Sequence, residues 1–173
     1  IKSLPSGPDL CRFDLDQKTE KSFGIKLAIR SAHYSEVAKR LVFTADLGNG
    51  SAQCFTADAE GKDVRQITVG PGKAYSPLWS PNGQQILFFR ELGDQKDQIF
   101  VINSDGTRLR HVSDAEKHNF YPDFGPSGTI SYTVMDSDKT KRVVIASLSG
   151  KRLRQFPYRT SRLRWSPDGK KAI

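Results

Sequence analysis

Three histidines, a basic run near the C-terminus and two short loops carry the side chains suited to chemistry in this sequence. His33, His111 and His118 can each ligate a metal or move a proton, yet they show neither HExxH nor Cys/His ligand spacing. His33 falls in an aromatic run, His111 in a short amphipathic run, and His118 in a loop beside Asp114, Glu116 and Asn119. His118 is the candidate binding residue of the three, because loops between structural units present most binding groups. The other two read as structural. Asp136-Ser137-Asp138-Lys139-Thr140-Lys141 opens like a calcium loop but lacks the glycine and distal glutamate of an EF-hand. It is expected to be a hairpin tip, as is Asp94-Gln95-Lys96-Asp97 at the equivalent place one unit earlier. Gly70-Pro71-Gly72-Lys73 is too short, and interrupted by proline, to cradle a phosphate, so it reads as a connection. GxSxG is absent too. The sequence therefore leads to no catalytic residue, no metal site and no cofactor.

The basic run has more to offer. The net charge is +8, and nearly all of it comes from the last segment. Lys151, Arg152, Arg154, Arg159, Arg162, Arg164, Lys170 and Lys171 stand there against the single acid Asp168. Two readings stand side by side: a solvated strand and loop, or a surface for a phosphate, an acidic sugar or an acidic protein. Arg159, Arg162 and Arg164 flank Tyr158 and Trp165, a mixture that also suits nucleic acid. Trp165 falls at a core position of the repeat described next, which favours a protein partner over nucleic acid. Arg152, Arg154, Arg159, Arg162, Arg164 and His118 are the candidate binding residues.

A recurring unit must position these side chains. Ser76-Pro77-Leu78-Trp79-Ser80-Pro81-Asn82-Gly83 recurs as Tyr121-Pro122-Asp123-Phe124-Gly125-Pro126-Ser127-Gly128 and as Arg162-Leu163-Arg164-Trp165-Ser166-Pro167-Asp168-Gly169. Trp79 precedes Phe124 by 45 residues, and Phe124 precedes Trp165 by 41. Such a period marks stacked supersecondary repeats. Each unit has a second half: Cys54-Phe55-Thr56-Ala57-Asp58 before Gly61, Ile99-Phe100-Val101-Ile102 before Asp105-Gly106, and Val143-Val144-Ile145-Ala146 before Gly150. The Pro/Gly turns suit hairpins, since proline fixes φ and glycine accepts positive φ. Ile86-Leu87-Phe88-Phe89 is apolar on both faces, as a strand covered on both sides must be. The expected unit is a four-strand meander that cannot bury its two faces alone and stacks on its neighbours. Whole units are expected at 31–68, 75–113 and 120–156, the second half of one at 10–23 and the start of another at 162–173, all within one domain over residues 1–173. Residues 34–42 and 113–118 have room for a turn of helix at most. Cys11 and Cys54 are too few for a disulfide framework, and the plainer expectation is two small buried hydrophobes. The chain carries no run approaching the ~18 apolar residues of a membrane span. Ile1-Lys2-Ser3-Leu4-Pro5 lacks the apolar stretch of a signal peptide.

Leu78-Trp79-Ser80-Pro81-Asn82-Gly83-Gln84-Gln85-Ile86 and Arg164-Trp165-Ser166-Pro167-Asp168-Gly169-Lys170-Lys171 resemble the signature of the TolB-like, WD40-like β-propeller repeat family. Ile99-Phe100-Val101-Ile102-Asn103-Ser104-Asp105-Gly106-Thr107 is similar to the second half of that repeat. The copy around Tyr34 departs from it, with Glu36-Val37-Ala38 at the turn. The resemblance implies an all-β fold of four-stranded antiparallel blades, in which Trp79, Pro81, Gly83, Phe124, Pro126, Gly128, Trp165, Pro167, Gly169, Asp105 and Gly106 are structural. Either the two chain ends combine into a composite blade of a four-bladed ring, or the chain is an arc of a larger ring, six-bladed by family habit; the arc is the expectation. The family further implies a non-catalytic protein-binding scaffold in the periplasm or cell envelope. The alternative is the propeller of a larger prolyl-oligopeptidase-like hydrolase.

Overall fold

The computed structural model describes residues 10–93, 96–156, 162–166 and 168–173. The hairpin turns form for reasons visible residue by residue. At the first proline-containing turn, the Ser80 N–H donates to Gln85 O (2.8 Å) and the Gly83 N–H donates to Ser80 O (2.9 Å). The Ser80 hydroxyl donates to Asn82 Oδ1 (2.7 Å) and accepts from the Gln85 N–H (2.9 Å). Ser166 and Asp168 repeat this arrangement at the last turn. The Asp-Gly turns close in a similar way, with the Thr107 N–H on Asp105 Oδ1 at 2.9 Å and the Gly106 N–H on Asn103 O at 2.9 Å.

Among the described residues, these turns fold the chain into a hairpin and three four-stranded antiparallel blades. The hairpin is β1 (Cys11–Asp14) with β2 (Thr19–Ser22). The first blade holds β3 (Ala28–Ser35), β4 (Arg40–Asp46), β5 (Ala52–Asp58) and β6 (Arg65–Gln66). The second holds β7 (Lys73–Trp79), β8 (Gln85–Glu91), β9 (Gln98–Asn103) and β10 (Arg110–His111). The third holds β11 (His118–Phe124), β12 (Thr129–Met135), β13 (Lys141–Ser147) and β14 (Arg152–Gln155). Strand order follows the sequence in each. Beyond them, Trp165 bridges Ala172, the beginning of a further first-to-second strand pairing.

The all-apolar strands serve two interfaces at once, because successive side chains point to opposite faces. Ile86 and Phe88 of β8 pack toward the first blade with Val42, Cys54 and Ile67. Leu87, one residue along, packs toward the third blade with Ile130, Tyr132 and Val144. A third cluster joins the β1–β2 hairpin segment to the first blade through Ile25, Phe43 and Phe55. Arg90 is the exception in this interior. It is 5% exposed, lies over the Phe88 and Phe100 rings and donates to Val69 O at 3.2 Å. Burial pushes its pKa down.

The outer strands β6 and β10 are two residues long, because Asp63 and Arg108 sit at positive φ and delay the entry into the ladder. The only helical segment among the described residues is a 3₁₀ turn at Pro126–Gly128; residues 34–42 and 113–118 carry strand and turns instead. No helix among them is long and apolar enough to cross a membrane. Asp136–Thr140 is a hairpin tip, closed by the Asp136 N–H on Thr140 O at 2.9 Å. Cys54 is buried as expected, but Cys11 is exposed, lying on a two-stranded hairpin rather than in a full blade. Burial pushes the Cys54 thiol up to about 12, which leaves essentially no thiolate at neutral pH. Iodoacetamide is therefore expected to label Cys11 alone in the native protein and both cysteines in denaturant, read by peptide mass. Labelling of Cys54 in the native state would contradict this packing.

Candidate binding surface

The first strands of the blades lie side by side, β3 against β7 and β7 against β11, so they form the inner end of the blade stack. Each has a bulge: between Ile29 and Ser31, between Tyr75 and Leu78, and between Phe120 and Asp123. In β7 and β11 the bulge has a sequence cause. Pro77 and Pro122 lack an N–H and cannot donate to the ladder. The preceding residues, Ser76 and Tyr121, take the left-handed conformation at φ 49° and 50°, and both are exposed. Non-glycine residues in this region cost energy and concentrate where a protein works on other molecules.

Part of the basic run meets Tyr121. The Arg162 guanidinium lies 5.5 Å from the Tyr121 ring centroid. Arg164 Nη1 is 2.9 Å from Asp123 Oδ2. Arg152 and Arg154 sit elsewhere, on β14 at the outer edge of the third blade. Arg152 Nη2 pairs with Asp114 Oδ2 at 2.9 Å, and Arg154 lies 5.1 Å from the Phe156 ring centroid. The structure thus separates the run into an inner pair and an outer pair, because one strand order spans the whole blade between them. Arg159 and Pro167 lie outside the described residues. Trp165 is half-buried and its indole N–H donates to Ser131 Oγ at 3.2 Å.

Each of the three histidines makes contacts within the fold. His118 is not in a loop. It begins β11 opposite Met135, with Nδ1 3.2 Å from Asp97 Oδ2 and its ring parallel to Phe120. Asn119 at the next position pairs in the ladder and draws His118 into the strand. His111 Nε2 is 2.8 Å from Gln98 Oε1. His33 Nδ1 accepts the Trp79 backbone N–H at 3.1 Å, joining the first strands of two blades. This bond needs an unprotonated Nδ1. Burial pushes the His33 pKa below its ordinary value, with the charge of Asp123 opposing. The unfolded chain then binds the proton more readily than the folded one, so stability is full above the unfolded value of ~6.5. It is lost as pH falls from there toward the lower folded value. The melting temperature is expected to drop between about pH 7.5 and about pH 5.5, and less so in His33→Gln. An unchanged slope in that variant would remove His33 from the account.

Sequence reasoning missed a polar clasp that holds the inter-blade connections. Gln53 Nε2 donates to Gly70 O and Gly72 O, at 3.3 and 3.4 Å, while Oε1 accepts from the Thr68 hydroxyl at 2.7 Å. Gln98 repeats this 45 residues later, with Ala115 O, Lys117 O and the Ser113 hydroxyl. The signal was present: a glutamine at the same repeat position, each 15 residues before a hydroxyl side chain. The third blade has Arg142 in that place, paired with Asp136 at 3.0 Å.

Sheets that stack face to face, with first strands innermost and each meander in sequence order, define a β-propeller. No family model and no curated protein matches the sequence. Among solved structures it is similar to TolB from Acinetobacter baumannii, with a TM-score of 0.73 and 19% identity over 96% of this chain and 42% of that one. It is also similar to a TolB-type protein from Agrobacterium tumefaciens, with a TM-score of 0.70 and 22% identity over 87% of this chain and 59% of that one. A prolyl endopeptidase structure matches with a TM-score of 0.74 and 15% identity, over 97% of this chain and 26% of that one. The chain spans about half the length of the TolB structures. The shared property is the propeller fold.

Proposed function

We propose that this chain is part of a non-catalytic, TolB-like propeller that acts as a protein-binding scaffold in the cell envelope, its blades forming an arc of a larger ring. The observation that carries the reading is the inner-strand cluster of Tyr121, Arg162, Arg164 and Asp123. Tyrosine and arginine dominate binding hot spots, and here an exposed tyrosine at strained φ lies under an arginine. Arg162 and Arg164 are the basic residues best placed to meet an acidic partner surface; Arg152 and Arg154 offer a second, outer contact. The likeness to TolB supports the envelope location and the larger ring. A pull-down from envelope extract tests this. Tyr121→Ala with Arg162→Glu is expected to lose the captured partner, and Arg152→Glu with Arg154→Glu to weaken it. Unchanged capture by all four substitutions together would overturn the reading.

The likeness to a prolyl endopeptidase favours a second reading, a propeller that gates or docks substrate for a hydrolase. Labelling of the native full-length protein by a fluorophosphonate probe would favour it over the scaffold.

A further inference from the structure

The three proline-containing turns stack on one end of the blades, and one of them is short. Trp79 pairs with Ile86 and Trp165 with Ala172, leaving six residues in each turn, 80–85 and 166–171. Phe124 pairs with Ile130, which leaves five, 125–129. The cause is local. Gly125 replaces the serine found at Ser80 and Ser166, and a Cβ there would lie 2.5 Å from Thr129 Oγ1 and 2.9 Å from the Trp165 ring. The short turn closes instead as a 3₁₀ turn, with Ser127 at φ 54°.

The missing residue changes how the turns meet. A Cβ built on Gly83 would lie 3.0 Å from Ala38 of the preceding blade, and one on Gly169 would lie 2.7 Å from Pro126. Those two junctions are filled. A Cβ built on Gly128 would have only Leu148 Cδ1 within 4 Å, at 3.9 Å, and would meet nothing of the second blade's turn. Between them lies a cleft of about 410 Å³, within the range of ligand pockets. Its apolar lining includes Phe124, Leu148, Trp165 and Pro81. Asp168 is the only charged side chain among the described lining residues. Its Oδ1 takes both the Ser166 hydroxyl and the Lys170 N–H, at 2.5 and 3.0 Å, and these bonds hold the carboxyl below the ordinary carboxylate range.

We propose that this cleft receives a lysine or arginine side chain of a partner protein, its aliphatic stem over Phe124, Leu148 and Trp165 and its charged head at Asp168. A long cationic side chain is the chemistry that satisfies both halves of the lining, because its stem buries against apolar surface while its head stays polar. Aromatic faces beside a carboxylate add to the attraction. The proposal rests on the scaffold reading but concerns a different surface, at the turns rather than at Tyr121 and Arg162.

The test uses two acetylated, amidated tripeptides, Ala-Lys-Ala and Ala-norleucine-Ala, titrated into the isotope-labelled chain by two-dimensional NMR. The lysine peptide is expected to shift the Gly125, Gly128 and Gly169 amides and the Trp165 indole, and to bind about fivefold more tightly than the norleucine peptide. Asp168→Asn should erase the difference. Gln85→Trp, which fills the cleft from its wall, should abolish binding of both while the circular dichroism spectrum is unchanged. Equal binding of the two peptides, shifts confined to other residues, an unaffected Asp168→Asn, or no saturable shift at all would each overturn the proposal. Pull-down results at Tyr121 and Arg162 bear on the scaffold reading alone, so the two failures are separable.

Discussion

Phe88→Ala is expected to destabilise the protein by about 3–5 kcal/mol, the cost of emptying a fully buried aromatic site. Domains of ordinary stability hold about 5–15 kcal/mol in total, so this one truncation removes a large share. Phe88 has no exposed surface and stacks on Phe100 with ring centroids 5.8 Å apart. It belongs to the cluster that joins the first and second blades. It also lies under the Arg90 guanidinium, 5.7 Å from its ring centroid. Removing the ring strips a buried cation of an aromatic face, so the loss is expected at the upper end of the range. Urea denaturation followed by tryptophan fluorescence reads it as a lower midpoint. A change below about 1 kcal/mol would mean that the blades do not pack through this ring.

Gly72→Ala is expected to cost about 3 kcal/mol or more. Gly72 sits at φ 78°, which strains any L-residue, and a Cβ there would lie 2.1 Å from Glu91 O. The obstacle is backbone, held in β8 by pairing of Glu91 with Lys73, so it does not yield cheaply. Gly72 O also accepts from Gln53, and a shift of the loop would break that clasp. Gly50→Ala is the control. Its φ of 82° is as unfavourable, but nothing lies within 4 Å of the added carbon. It should cost only the ~1–2 kcal/mol of the left-handed backbone. Similar losses for the two variants would show that the close approach to Glu91 is unimportant.

The blades were legible because their physics is local. Ile86 to Phe89 showed a strand covered on both faces, and Ser80-Pro81-Asn82-Gly83 showed a turn that needs positive φ at its last residue, found at 67°. What escaped the sequence depends on distances across the blade. The order of basic residues could not reveal that Arg152 and Arg164 lie at opposite ends of the strand order. His118 looked like a loop residue because its polar neighbours Lys117 and Asn119 hid the start of β11. Asn119 is buried, its amide nitrogen bonded to Asp114 O and Lys117 O at 2.8 and 2.6 Å while its Oδ1 has no hydrogen-bond partner among the described residues, so polarity there marks an interior position rather than a surface. Arg90, at the end of an apolar run, is buried in the same way, over the Phe88 and Phe100 rings. The turn at 125–129 is one residue shorter than its counterparts at 80–85 and 166–171, but the effect appears only when turns from neighbouring blades are stacked.

The prolines of the inner strands have one more consequence. The first strand of each blade is an edge, hydrogen-bonded on one side only. Open edges are templates on which foreign strands can grow. The bulges at Ser76 and Tyr121 break the regular spacing of that edge. A second chain laid along β7 or β11 would find the ladder interrupted halfway. The same kinks that turn Tyr121 outward therefore also guard the protein against filament growth from within its own axis.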